Sequence, residues 1–100
     1  MPHPIETPRA TDFPRLLEVW EAAVRATHDF LEEHDIQLLK PLLIEQYFPL
    51  VQLSCMRGDD GTIAGFLGYA KGKVEMLFVD PLHHGMGIGK ALLNDAVVRL

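Results

Sequence analysis

The sequence has a single cysteine, Cys55, so no intrachain disulfide can form. Set within the apolar run 50–57, it reads as a buried, reduced thiol that suits a reducing compartment. No stretch approaches the ~18 consecutive apolar residues of a membrane span. The first ten residues, MPHPIETPRA, have neither the basic start nor the apolar centre of a secretory signal. These absences predict a cytoplasmic protein with no membrane partner. Basic residues are also few: 9 Lys and Arg against 14 Asp and Glu give a formal net charge of −5, and none cluster in a run. A duplex nucleic-acid binder needs a basic face to displace counterions, so no nucleic-acid partner is expected. No pair among the five histidines has HxxxH spacing, and adjacent His83 and His84 are poorly placed to share an ion, so no metal site is expected. No repeat, low-complexity segment or linker divides the chain. One hundred residues, 48% of them apolar, therefore predict one domain spanning 1–100.

What is present is ordered by periodicity. Residues 4–8, PIETP, read as a short strand that its prolines confine to an edge or a strand end. From Thr11 onward, Phe13, Leu16, Leu17, Trp20, Ala23, Val24 and Thr27 recur at helical spacing, with Glu18, Glu21 and Arg25 opposite. Thr11 is expected to N-cap this helix, with Asp12 at the positive end of its dipole and Pro14 in the first turn. Residues 26–35 read as a helix-helix corner. Residues 35–48 read as a second helix that Pro41 kinks or starts and Pro49 ends. LVQLSCMR (50–57), TIAGFLGYA (62–70) and KVEMLFVD (73–80) are β-type runs with tight connections, which predicts an antiparallel meander. The third is apolar on both faces over MLFV and belongs inside the sheet or covered on both sides.

The third run leads through Asp80-Pro81 into HHGMGIGKALL, a glycine loop opening into a helix. That arrangement points backbone N–H groups at a phosphate. Spacing separates the known kinds. A Walker A loop needs glycine five residues before Gly89-Lys90, where His84 stands, and Ser or Thr at 91, where Ala91 stands. The dinucleotide pattern G-x-G-x-x-G fails as well, because Lys90 or Leu92 occupies the third glycine position.

Val79 to Leu93 instead resembles V-x-P-x-x-[RQ]-G-x-G-[IV]-G-x-x-L-L, the acetyl-CoA-binding motif of the GNAT superfamily of N-acetyltransferases. The resemblance extends upstream to the order of strand, two helices and meander, and to the Thr27-His28-Asp29-Phe30-Leu31 corner. It implies an α/β (α+β) fold with a mixed, mainly antiparallel sheet flanked by helices, in the order β-α-α-β-β-β-α. Because the last helix reaches Leu100 without a terminating residue, the C-terminal half of that fold is expected to be absent. The implied cofactor is acetyl-CoA. Gly85, Met86, Gly87, Ile88, Gly89 and Lys90 would meet its pyrophosphate, and Leu77, Phe78 and Val79 would run beside its arm as in strand addition. His84 replaces the family's Arg or Gln and loses a permanently charged fork, so weaker phosphate binding is expected. Lys90 opposes the helix dipole, a cost that a bound phosphate offsets.

Acetyl transfer to an amine needs a neutral nucleophile and a stabilised oxyanion. An amine with pKa ~10.4 is neutral in only about 1 part in 2,500 at pH 7, a handicap of about 4.6 kcal/mol. The resemblance implies Glu75 as the general base, a bulged strand N–H near Phe78 or Val79 as the oxyanion donor, and His28 and Phe30 as acceptor-binding residues. The family's tyrosine acid has no counterpart: Tyr47 and Tyr69 match no such motif. The expected function is an N-acetyltransferase, or its N-terminal part, acting on a small-molecule or peptide amine, with turnover by residues 1–100 alone in doubt. The alternative is a non-catalytic CoA-binding, regulatory or structural module. An apolar strand edge at 73–80 further predicts a homodimer.

Overall fold

Three runs of alternating side chains build the centre of the molecule. In the computed structural model, which describes residues 3–27 and 31–100, they are β2 (Gln52–Arg57), β3 (Ile63–Ala70) and β4 (Lys73–Val79). The two-residue strand β1 (Ile5–Glu6) pairs with β2, as the flanking prolines predict. The sheet order is β1-β2-β3-β4, with every neighbour antiparallel.

Successive strand residues face opposite ways, and the core divides accordingly. Cys55, Phe66, Met76 and Phe78 pack toward α1 (Phe13–Thr27), which contributes Leu16, Val19, Trp20 and Val24. Met56, Leu67, Val74, Leu77 and Val79 pack toward α4 (Ile88–Arg99), which contributes Ile88, Leu92 and Ala96. β4 is thus covered on both faces, as its double-sided apolarity requires, although it is the last strand of the sheet. Phe13, Phe48, Phe66 and Phe78 form a run of ring contacts at centroid separations of 5.3, 5.6 and 5.8 Å. Such pairs add roughly 0.5–1.5 kcal/mol each beyond area burial, and here they tie the start of α1 to β4.

Two helix boundaries differ from the sequence expectation. Thr11 does not cap α1; it lies inside a 3₁₀ turn, Ala10–Asp12, which Asp12 closes by accepting from the Arg9 N–H at 2.9 Å. The second helix is α2 (Glu33–Leu42) with Pro41 inside it, continuing through a wide π-type turn, Leu43–Tyr47, into the short α3 (Phe48–Leu50). Pro41 and Pro49 each lack an N–H, and the widened turn between them absorbs the broken ladder, so the chain leaves helix only at Val51.

α2 is held to α1 by charge. Arg25 makes a forked contact with Glu33 (2.9 and 3.0 Å) and a bond to Glu21, and Lys40 reaches Glu21 at 2.9 Å. The Arg25 fork, with the Gln37 amide, lowers the Glu33 pKa to about 2.

Candidate functional site

The site begins where β4 ends. Asp80 extends the ladder by donating its N–H to the Ala64 carbonyl at 2.8 Å, and its side chain is buried. One carboxylate oxygen accepts from the Leu82 N–H at 3.0 Å, which shapes the 3₁₀ turn Pro81–His83. The other meets Arg15 Nη2 at 3.1 Å. Arg15 Nε also donates to the Ile63 carbonyl at 2.9 Å. One guanidinium on α1 therefore fixes β3 and the turn leaving β4.

After that turn the chain reverses into α4 through Gly85 (φ 82°) and Gly87 (φ 77°). This left-handed backbone costs an L-residue about 1–2 kcal/mol, and no neighbour crowds either position, so conformation alone accounts for glycine there. α4 is seated closely on β3: a Cβ on Gly65 would lie 2.8 Å from Ile88 Cγ2. The N–H of Ala91 bonds to the Gly87 carbonyl at 3.0 Å and starts the helical ladder, so the N–H groups before it have no acceptor in their own helix. They present the positive end of the helix dipole to a cleft of about 550 Å³. Gly89 differs from the other two loop glycines. It has no left-handed φ, and a Cβ there would meet only Val79 Cγ2, at an ordinary 3.6 Å.

Leu77, Phe78, Val79, His84, Gly85, Gly87, Ile88 and Gly89, all expected at the cofactor, line this cleft together. Met86 and Lys90 do not. Met86 lines a separate hollow of about 340 Å³ near His3 and Asp59, and the Lys90 side chain is exposed. The first turn of a helix fans its side chains outward, so adjacent loop residues end on different sides of it. Sequence reading missed Ala23, Val24 and Thr27, which form the opposite wall, and His83. The available signal was the end of the α1 stripe, where small side chains leave the sheet uncovered.

The expected chemical groups are more dispersed. Glu75 lies in a second groove of about 400 Å³ with Tyr47, Leu50, Val51, Lys71 and Met76, and its carboxylate is 3.7 Å from Lys73 Nζ. The sheet irregularity falls at this residue, since Tyr69 pairs with Val74 and Gly68 with Met76. Phe78 and Val79 pair regularly with Phe66 and Gly65, so β4 is not bulged where an oxyanion donor was expected. Tyr69 lines a small hollow with Ser54 and Arg99 on another part of the surface. His28 and Phe30 lie outside the described residues. Glu32, His34 and Asp35 bring ligand-type atoms within 4.8 Å of one another on the exposed surface. The Asp35 carboxylate there accepts from the Glu32 N–H at 3.0 Å, a helix-capping contact. Burial pushes the Cys55 thiol up to about 11, so it is an inert core residue. No helix among the described residues is long and apolar enough to cross a membrane.

Residues 14–100 match the acetyltransferase (GNAT) family, and the chain belongs to it. It is similar to the peptidyl-lysine N-acetyltransferase YjaB of Salmonella typhimurium, with 32% identity over 83 residues, which are 83% of this chain and 57% of that protein. The chain thus spans little more than half of that relative. Among solved structures, apo YjaB of Escherichia coli superposes with a TM-score of 0.86 at 27% identity, covering 99% of this chain and 67% of that one. The PaiA N-acetyltransferase of Thermoplasma acidophilum, solved with coenzyme A, shares the fold at a TM-score of 0.75 and 21% identity, over 96% of this chain and 70% of that one.

Proposed function

We propose that this chain carries the acetyl-CoA-binding part of an N-acetyltransferase that passes acetyl to a primary amine of a small molecule or a peptide. The observation that carries this reading is the first turn of α4, whose unpaired N–H groups meet a cleft walled by β4 and α1. The cradle fits a pyrophosphate: Gly85, Gly87 and Gly89 leave the backbone uncovered, and the dipole favours negative charge. Bound there, acetyl-CoA supplies an activated acetyl thioester. Among the described residues, Leu77, Phe78 and Val79 lie on the last strand of the sheet, where their outward main-chain groups can pair with an amide-bearing arm. The Salmonella relative is a peptidyl-lysine N-acetyltransferase, which makes a lysine-type acceptor the first to test.

Glu75 is the proposed base. It precedes the cleft residue Leu77 by two positions on β4 and lines the second groove. An amine entering from the Tyr47 side meets this carboxylate first. His28 and Phe30 are proposed to complete that acceptor side. In the absence of the cofactor, the outer edge of β4 is also proposed to pair two copies, and light scattering on the cofactor-free protein that reports one 11.2 kDa chain removes that assignment. A single cytoplasmic domain is part of the same proposal, and the buried, reduced thiol of Cys55 suits it.

A second reading, a CoA-binding module without turnover, is favoured by one observation: no tyrosine among the described residues lines the cleft. Titration calorimetry of the full chain with acetyl-CoA tests both, since each requires heat of binding. A folded protein that shows none refutes them together, and product formation from an amine acceptor decides for the enzyme.

A further inference from the structure

His83 is half-buried on the wall of the cleft, yet among the described residues its ring makes no hydrogen bond. Nδ1 is sealed from solvent and makes no hydrogen bond, and no hydrogen bond or ion pair among the described residues reaches Nε2. The nearby Asp60 Oδ1 is already committed to the N–H and hydroxyl of Thr62, at 3.0 and 2.8 Å. A sealed nitrogen is better left as an acceptor than as an unpaired donor, which favours the tautomer with its proton on Nε2. A ring donor thus remains unused on a residue of the cleft wall.

The ring's place is secured by a glycine in another element. A Cβ on Gly58 would lie 2.7 Å from Nε2 and 3.1 Å from Cδ2 of His83. Gly58 is buried and has no left-handed φ, so the imidazole, not the backbone, excludes a side chain there. His84, by contrast, is exposed.

We propose that His83, rather than His84, donates from Nε2 to a phosphate oxygen of the CoA pyrophosphate, and that Gly58 is the clearance that holds its ring at the cleft. The donor lost where Arg or Gln is usual is thereby supplied one residue earlier. This assignment rests on the acetyl-CoA reading above.

The test is calorimetry of CoA binding to the full chain and to H83A, G58A and the double variant. A hydrogen bond to a charged acceptor predicts about tenfold weaker binding for H83A. G58A, which displaces the ring, should weaken binding similarly, and the double variant should lose no more than H83A alone. Wild-type protein that binds no CoA overturns the acetyl-CoA reading itself. Wild-type binding with H83A equally tight overturns the His83 assignment alone, and additive losses overturn the role of Gly58. If H83A fails to fold, the ring ¹⁵N resonances of wild-type His83 decide. They should shift with CoA but not with pantetheine, which lacks the pyrophosphate, and unmoved resonances overturn the proposal.

Discussion

Gly89→Ala separates a loop that binds a ligand from one that merely turns. Position 89 has no left-handed φ, and its Cβ would find Val79 Cγ2 at 3.6 Å, so the fold accepts the methyl. Alanine in a helix in place of glycine gains about 0.5 kcal/mol. Since 1 kcal/mol shifts the midpoint of a domain of this size by roughly 4–8 °C, the variant should melt about 2–4 °C higher. Gly89 lines the cleft, so a methyl there should crowd a pyrophosphate lying against its backbone, and acetyl-CoA affinity should fall about tenfold or more. Gly87→Ala should behave oppositely in stability. At φ 77° it forces an L-residue into left-handed backbone at a cost of about 1–2 kcal/mol, a loss of at least about 4 °C. Circular-dichroism melts and calorimetry on the same preparations measure both quantities. If Gly89→Ala is stabilised and still binds acetyl-CoA as tightly as wild type, the glycines serve the turn alone and the cradle assignment is wrong.

Arg15→Gln should cost about 2–3 kcal/mol, because it strands the buried Asp80 carboxylate while the Leu82 N–H remains its partner. Adding Asp80→Asn should recover part of that loss, and an unchanged denaturant midpoint in Arg15→Gln refutes the link. Glu75→Gln should lower kcat about a hundredfold or more with little change in acetyl-CoA affinity, as loss of a general base requires; unchanged turnover places the base elsewhere. Glu33, with its pKa lowered from 4.5 to about 2 by Arg25 and Gln37, adds stability above pH 4.5 that disappears as pH falls toward 2. The group is exposed, so the effect is small and screened by salt. Melting curves of Glu33→Gln should be flatter than wild type across that window, and identical acid limbs contradict the pairing.

Much of the fold is legible because strand alternation and helical spacing report which face of an element is buried. Phe66 and Leu67 point to opposite layers as alternation requires, and Trp20 enters the core on the α1 stripe. The identity of the opposing element is a different quantity, set by chain topology. Arg15 and Asp80 stand 65 residues apart, and neither advertises the other. The same reasoning covers Ala23, Val24 and Thr27, which read as ordinary stripe residues until β4 is seen to leave them an open wall. Glu75 could be placed on a strand but not in a groove, because one extra residue opposite Gly68 and Tyr69 shifts it out of simple alternation. The continuous α2–α3 path escaped for a local reason: a proline was read as a boundary, whereas a wide turn tolerates two of them.

The glycines sharpen what a motif can tell. In sequence, Gly85, Gly87 and Gly89 form one pattern with one apparent cause. In the structure the first two answer to backbone conformation, whereas Gly58 and Gly65, outside the motif, answer to side chains pressed against them. Only Gly89 has neither constraint within the protein. A turn that bound nothing would still require glycine at 87 for its left-handed φ, but it would gain stability from alanine at 89. Position 89 is therefore where the choice of glycine speaks for a ligand, and its neighbours speak mainly for the route the chain takes to reach it.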